Sequence, residues 1–102
     1  MSRPVRITPL AEADIARAQD WYESREPGLG NRFVQQVRDT IERIAQNPFQ
    51  YQVAIDDARR ARVRRFPYAV WYRVLDDESV VIACLAHRQD LDRMKRQMPG
   101  RD

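Results

Sequence analysis

The side chains best equipped for chemistry crowd into Arg59–His87, R-R-A-R-V-R-R-F-P-Y-A-V-W-Y-R-V-L-D-D-E-S-V-V-I-A-C-L-A-H. Arg59, Arg60, Arg62, Arg64 and Arg65 fall within seven residues. Guanidinium forks grip carboxylates and phosphates in bidentate fashion. Arginines on a strand also keep a sheet edge from pairing with other chains, but five exceed what that requires. His87, the only histidine, precedes Arg88. Its imidazole titrates near neutrality and suits general acid–base work; the simpler reading is a histidine hydrogen-bonded at a sheet edge. Tyr68, Trp71 and Tyr72 are the right types to stack on bases, yet in so apolar a run they belong in a core. Cys84 is the only cysteine and reads as a buried, inert thiol. A Cys84–His87 dyad fails, because side chains three apart on a strand point to opposite faces. No glycine-rich phosphate loop, zinc-type Cys/His spacing or nucleophile elbow is present. No metal and no cofactor are expected.

Positioning these groups requires strands, and the patterning supplies them. Arg62–Phe66, Tyr68–Val74 and Val80–Ala86 read as successive strands, the last two joined through the acidic turn Asp76–Ser79. Tyr68–Val74 is apolar on both faces except at Arg73, which places it centrally in a sheet. Upstream, Val5–Thr8 is a short strand. Thr8 suits an N-cap and Pro9 a first helical position, so a helix runs from Pro9 to Ser24. Ala11, Ile15, Ala18 and Tyr22 form its apolar face, flanked by Leu10 and Trp21. Glu26–Gly30 breaks it. A second helix, Gly30–Gln46, carries Phe33, Val37, Ile41 and Ile44 on one stripe, widened by Val34, and ends at Asn47-Pro48. The short link predicts an antiparallel hairpin whose apolar face needs a sheet. Tyr51, Val53 and Ile55 suggest an added edge strand. His87–Gln97 reads as a short helix or loose tail, with Leu91, Met94 and Met98 at helical spacing, and Pro99–Asp102 as a frayed end. The fold expected is α+β: a helical hairpin on a mostly antiparallel sheet, in the order β-α-α-β-β-β, with a short C-terminal helix or tail. The sheet's other face must be covered by that tail or a partner, or left wet.

At 102 residues the chain is expected to be a single domain, 1–102. Its net charge is +3, unevenly spread. Residues 1–57 carry seven basic and nine acidic side chains, residues 58–102 eleven and six, and seventeen of the eighteen cations are arginine. A basic half beside an acidic half suits a polyanionic or acidic partner. No apolar run nears the roughly 20 residues that span a bilayer, and the N-terminus lacks a signal-peptide core. The location expected is cytoplasmic, without a membrane.

V-R-I-T-P-L-A-E-A-D-I near the start, F-V-Q-Q-V-R-D-T-I-E-R-I-A-Q-N-P in the second helix, and R-V-R-R-F-P-Y-A-V-W-Y-R-V-L-D-D with V-V-I-A-C-L-A-H together resemble the ParE/RelE superfamily of toxin–antitoxin toxins, over about residues 4–92. RelE-like members cleave messenger RNA on the ribosome with basic side chains and often a late tyrosine; ParE-like members poison DNA gyrase and have no recognised nuclease centre. Matched strand to strand, Arg60 and Arg62 fall where RelE-like enzymes carry lysines, and Arg88 on an arginine after the last strand. Ala69 and Met94 stand where those enzymes place a further arginine and the tyrosine. Cleavage needs charge stabilisation and proton transfer together, so the resemblance is closer to ParE-like members. The ending H-R-Q-D-L-D resembles theirs, although Arg88 follows His87 directly and Gln89 separates it from Asp90.

The resemblance implies the toxin of a type II, plasmid-stabilisation-type module that arrests growth by inhibiting DNA gyrase through protein contact. A cognate ParD-like antitoxin would neutralise it in a toxin–antitoxin hetero-oligomer. Target contacts are expected from Arg60, Arg62, Arg64, Arg65, His87 and Arg88, and antitoxin contacts from Ile15, Trp21, Tyr22, Val34 and Arg73. The alternative is a ribosome-dependent endoribonuclease acting on messenger RNA through Arg60, Arg62, His87 and Arg88. A third reading is a toxin-like fold kept only as a binding module.

Overall fold

The structure, a computed structural model, describes residues 2–100. The elements run β1 (Val5–Ile7), α1 (Pro9–Arg25), α2 (Leu29–Gln46), β2 (Val53–Ile55), β3 (Ala58–Arg62), β4 (Tyr68–Val74), β5 (Ser79–Ala86) and α3 (Asp90–Gln97). Thr8 caps α1 as its sequence requires, its hydroxyl accepting from the Ala11 amide at 3.2 Å. The start of α2 is capped from outside: the Glu23 carboxylate on α1 accepts from the Gly28 amide at 2.9 Å and the Gly30 amide at 3.0 Å. One side chain thereby neutralises free amides of α2 and fixes the hairpin angle.

The sheet order is β1-β5-β4-β3-β2, antiparallel except that β1 runs parallel to β5. It is the expected α+β arrangement, with β2 added at one edge and a true α3 at the end. Two cores sandwich the sheet. Tyr22, Phe33, Val37 and Ile44 of the hairpin meet Val70, Tyr72, Val81 and Cys84 on one face. On the other, Met94 of α3 seals Ala69, Trp71, Ile82 and Leu85. The tail is therefore the cover that the second face needed.

Three local expectations are corrected. The strand placed at Arg62–Phe66 ends at Arg62 and begins earlier, at Ala58. Arg65 adopts φ 69°, a left-handed conformation that breaks a strand, and Pro67 has no amide to continue the ladder. Val63–Pro67 is instead a tight connection, closed by the Val63 amide donating to the Tyr68 carbonyl at 2.9 Å. Ser79, placed in the turn, opens β5. Pro99 and Gly100, expected to fray, join Met98 in one 3-10 turn; Arg101 and Asp102 lie outside the described residues.

β5 also carries a bulge. Trp71 pairs with Ala83 and Tyr72 with Val81, so the register shifts by one residue at Ile82. Ile82 and Ala83 therefore both join the α3-side core, and the alternation resumes with Cys84 facing the hairpin.

The strands carry charge to opposite ends. Asp56, Asp57, Asp76, Asp77 and Glu78 lie at the turns where β3 and β5 begin and β4 finishes. At the far end lie the β3–β4 turn and the start of the β5–α3 link, joined by the His87 amide donating to the Pro67 carbonyl at 2.8 Å. Arg62, Arg64, Arg65 and Arg88 are all exposed there.

Candidate functional site

The cluster read from sequence divides once its geometry is seen. Arg60 and Arg62 lie on the face of β3 that looks toward α3. Arg60 turns inward, and its Nε donates to the Asp90 carboxylate at 2.5 Å. Asp90 is 0% exposed and the Arg60 side chain 19%, so this pair ties α3 to the sheet. Arg59 points the other way, donates to the Tyr51 carbonyl at 2.7 Å and lies 5.2 Å from the Phe49 ring. Arg62, Arg64, Arg65 and Arg88 remain, with neither an ion pair nor a side-chain hydrogen bond among the described residues.

His87 is half-buried beside this end, hydrogen-bonded to the Tyr68 backbone. Burial, then the Arg60 charge, hold its pKa below the ordinary 6.5; the Tyr68 backbone and Asp90 oppose this in part, and Arg62 adds the weakest lowering. It stands neutral at pH 7 with Nε2 buried and unpartnered. Cys84 faces the opposite core, as the strand spacing requires; burial, then Asp14, pushes its thiol up to about 12, so it forms no thiolate near neutrality. Ala69 and Met94 are both fully buried in the core beneath α3. No group of three His, Cys, Asp or Glu side chains placed to hold a metal occurs among the described residues.

A second surface lies alongside. A groove of about 370 Å³ opens between α1, the outer edge of β5 and the start of α3, lined by Trp21, Tyr22 and Tyr68 with Arg17, Arg88 and Arg93. Trp21 is 51% exposed, stacked under Arg25 at 4.5 Å and edge-on to Tyr22 at 5.0 Å. Burial raises the phenol pKa values of Tyr22 and Tyr68, so both stay neutral. The residues proposed for antitoxin contact do not converge. Trp21 and Tyr22 line the groove, Ile15 and Val34 pack half-buried against the hairpin core, and Arg73 sits at the acidic end, bidentate to Asp57.

Asp14 was missed by pattern reading. It is buried on α1, and its Oδ2 accepts from the Cys84 amide at 3.0 Å. Among the described residues, the outer edge of β5 has no strand neighbour beyond β1, which pairs only with Ser79–Val81; the carboxylate occupies that position. Its sequence signal is an acid lying between the alanines of the buried stripe. Asp90 gave no signal, because its partner is thirty positions away.

These features define a class: a small α+β fold offering an arginine-rich end and a side groove, with Ala69 and Met94 packed into the core beneath α3. The family described as ParE toxin of type II toxin-antitoxin system, parDE, matches residues 5–92, and the chain belongs to it. No curated protein matches. A solved structure titled "Chromosomal ParDE TA system from P. aeruginosa" shares the fold at a TM-score of 0.75 with 19% identity, covering 83% of this chain and 96% of that one. No helix among the described residues is long and apolar enough to cross a membrane.

Proposed function

We propose that this type II toxin inhibits DNA gyrase by protein contact, working through its arginine end, and is neutralised by a cognate ParD-like antitoxin in a cytoplasmic hetero-oligomer. Membership of the ParE family carries the module type, and the ParDE title of the solved relative supports carrying the partner over. One observation favours gyrase over message cleavage. Ala69 and Met94, where a ribosome-dependent nuclease would hold an arginine and a tyrosine, are fully buried among apolar side chains. Arg60, a third candidate, is engaged by Asp90. A phosphodiester at this face would meet arginines but no placed acid–base pair.

The test is supercoiling by purified gyrase with the toxin added, with and without its antitoxin. Loss of supercoiling, reversed by antitoxin and absent in a folded Arg62→Ala/Arg64→Ala variant, is expected. Unaffected gyrase together with new primer-extension stops in translated messages would establish the ribonuclease instead.

A further inference from the structure

Ala58–Leu75 and Ser79–Gln89 contain seven arginines and no carboxylate. Arg60 and Arg73 are spent on Asp90 and Asp57, and Arg59 on the Tyr51 carbonyl. What projects from the end of the sheet is Arg62, Arg64, Arg65 and Arg88, unpaired among the described residues and backed by a rigid core. Arg65 holds the left-handed φ of 69°. Asn or Gly would take that position at lower cost, so the strained position carries a cation where turn chemistry alone would choose otherwise.

We infer that this end binds the phosphate backbone of duplex DNA, independently of sequence. It rests on the gyrase reading only for where the DNA comes from, since gyrase works on a duplex; the contact itself rests on the surface. Four unpaired guanidinium groups match a dense, regular row of phosphates. A single strand fits less well, because it needs exposed aromatic platforms. Trp71 and Tyr72 are fully buried, Phe66 and Tyr68 pack into the hairpin core, and the exposed Trp21 ring, in the side groove, is already stacked under Arg25 at 4.5 Å. The acidic turns lie at the opposite end of the sheet, where phosphate repulsion points the arginine end toward the duplex.

The experiment is fluorescence anisotropy of a labelled 20-base-pair duplex with the purified toxin across a salt series. Four phosphate contacts give a log–log slope of about −3.6, a loss of roughly 150-fold in affinity between 50 and 200 mM salt. Arg62→Ala/Arg64→Ala should flatten the slope by about 1.8, whereas Arg6→Ala/Arg38→Ala, of equal net charge, should leave it unchanged. Equal losses in both double variants would reduce the effect to net charge and overturn the inference. So would competition by polyglutamate or a single strand as effective as that by duplex. Supercoiling measured on the same variants separates the two readings: gyrase inhibition without DNA binding overturns only this inference, and DNA binding without gyrase inhibition overturns only the gyrase target.

Discussion

His87 and Arg60 show how far residue identity alone carries. The sequence marks both as candidates for chemistry, and in the structure both also serve the fold. Neutral His87 is favoured by folding, because its pKa is held below the ordinary 6.5. The unfolded chain therefore binds the proton more readily. Stability is full above about pH 6.5 and falls as pH drops through the window beneath it. Thermal melts between pH 7.5 and 5 should show that decline, and His87→Gln should lessen it. For Arg60, the measure is urea unfolding. Arg60→Ala leaves the Asp90 charge buried with no partner and should cost about 3–5 kcal/mol, while Arg60→Met/Asp90→Ala should recover most of the loss. A neutral effect of Arg60→Ala would show that the Asp90 pair does not hold α3 and would free that side chain for the proposed target contact. The arginines were legible as a cluster because side-chain type is local information. Which of them face inward was not, since that depends on Asp90 and on the register of β3 with β4.

Among the elements, the helices were legible nearly to the residue: Thr8-Pro9 and Asn47-Pro48 punctuate them, and period-3.6 stripes fill them. The β3 boundary was not, since the break at Arg65 is a conformational choice by a residue type that rarely makes it. The bulge at Ile82 was equally silent, because β5 is apolar on both faces and a one-residue shift changes nothing in its pattern. Gly30 belongs here too. Replacing glycine with alanine inside a helix ordinarily stabilises it by up to about 1 kcal/mol. At Gly30 the added Cβ would lie 2.7 Å from the Gln19 carbonyl oxygen on α1. That contact is with backbone, so the hairpin itself must open. Gly30→Ala should therefore destabilise by about 1–3 kcal/mol in denaturant titrations; a gain in stability would show that the helices separate freely.

At the scale of the whole molecule, the N-terminal segment holds three parts together. The Arg3 amide donates to the Ala45 carbonyl, its guanidinium to the Leu75 carbonyl, and the Pro4 carbonyl accepts from Ser79. Removing residues 2–7 keeps the Thr8 cap but uncovers Ser79–Val81, lengthening the open edge of β5. Such an edge recruits other chains, so the truncated protein should melt earlier and elute as oligomers with light-scattering masses above one chain. A monodisperse monomer would show that Asp14 alone suffices to blunt the edge. The same pairing sets a timetable for synthesis. Val5–Ile7 leaves the ribosome well before Ser79–Val81, and closing so long a loop contributes nothing until both strands are present. The arginine end is built in the same late stretch, from β3 through Arg88. A nascent chain released early therefore has a helical hairpin but neither a finished sheet nor the arginine end, and any activity that needs that end can begin only near the close of translation.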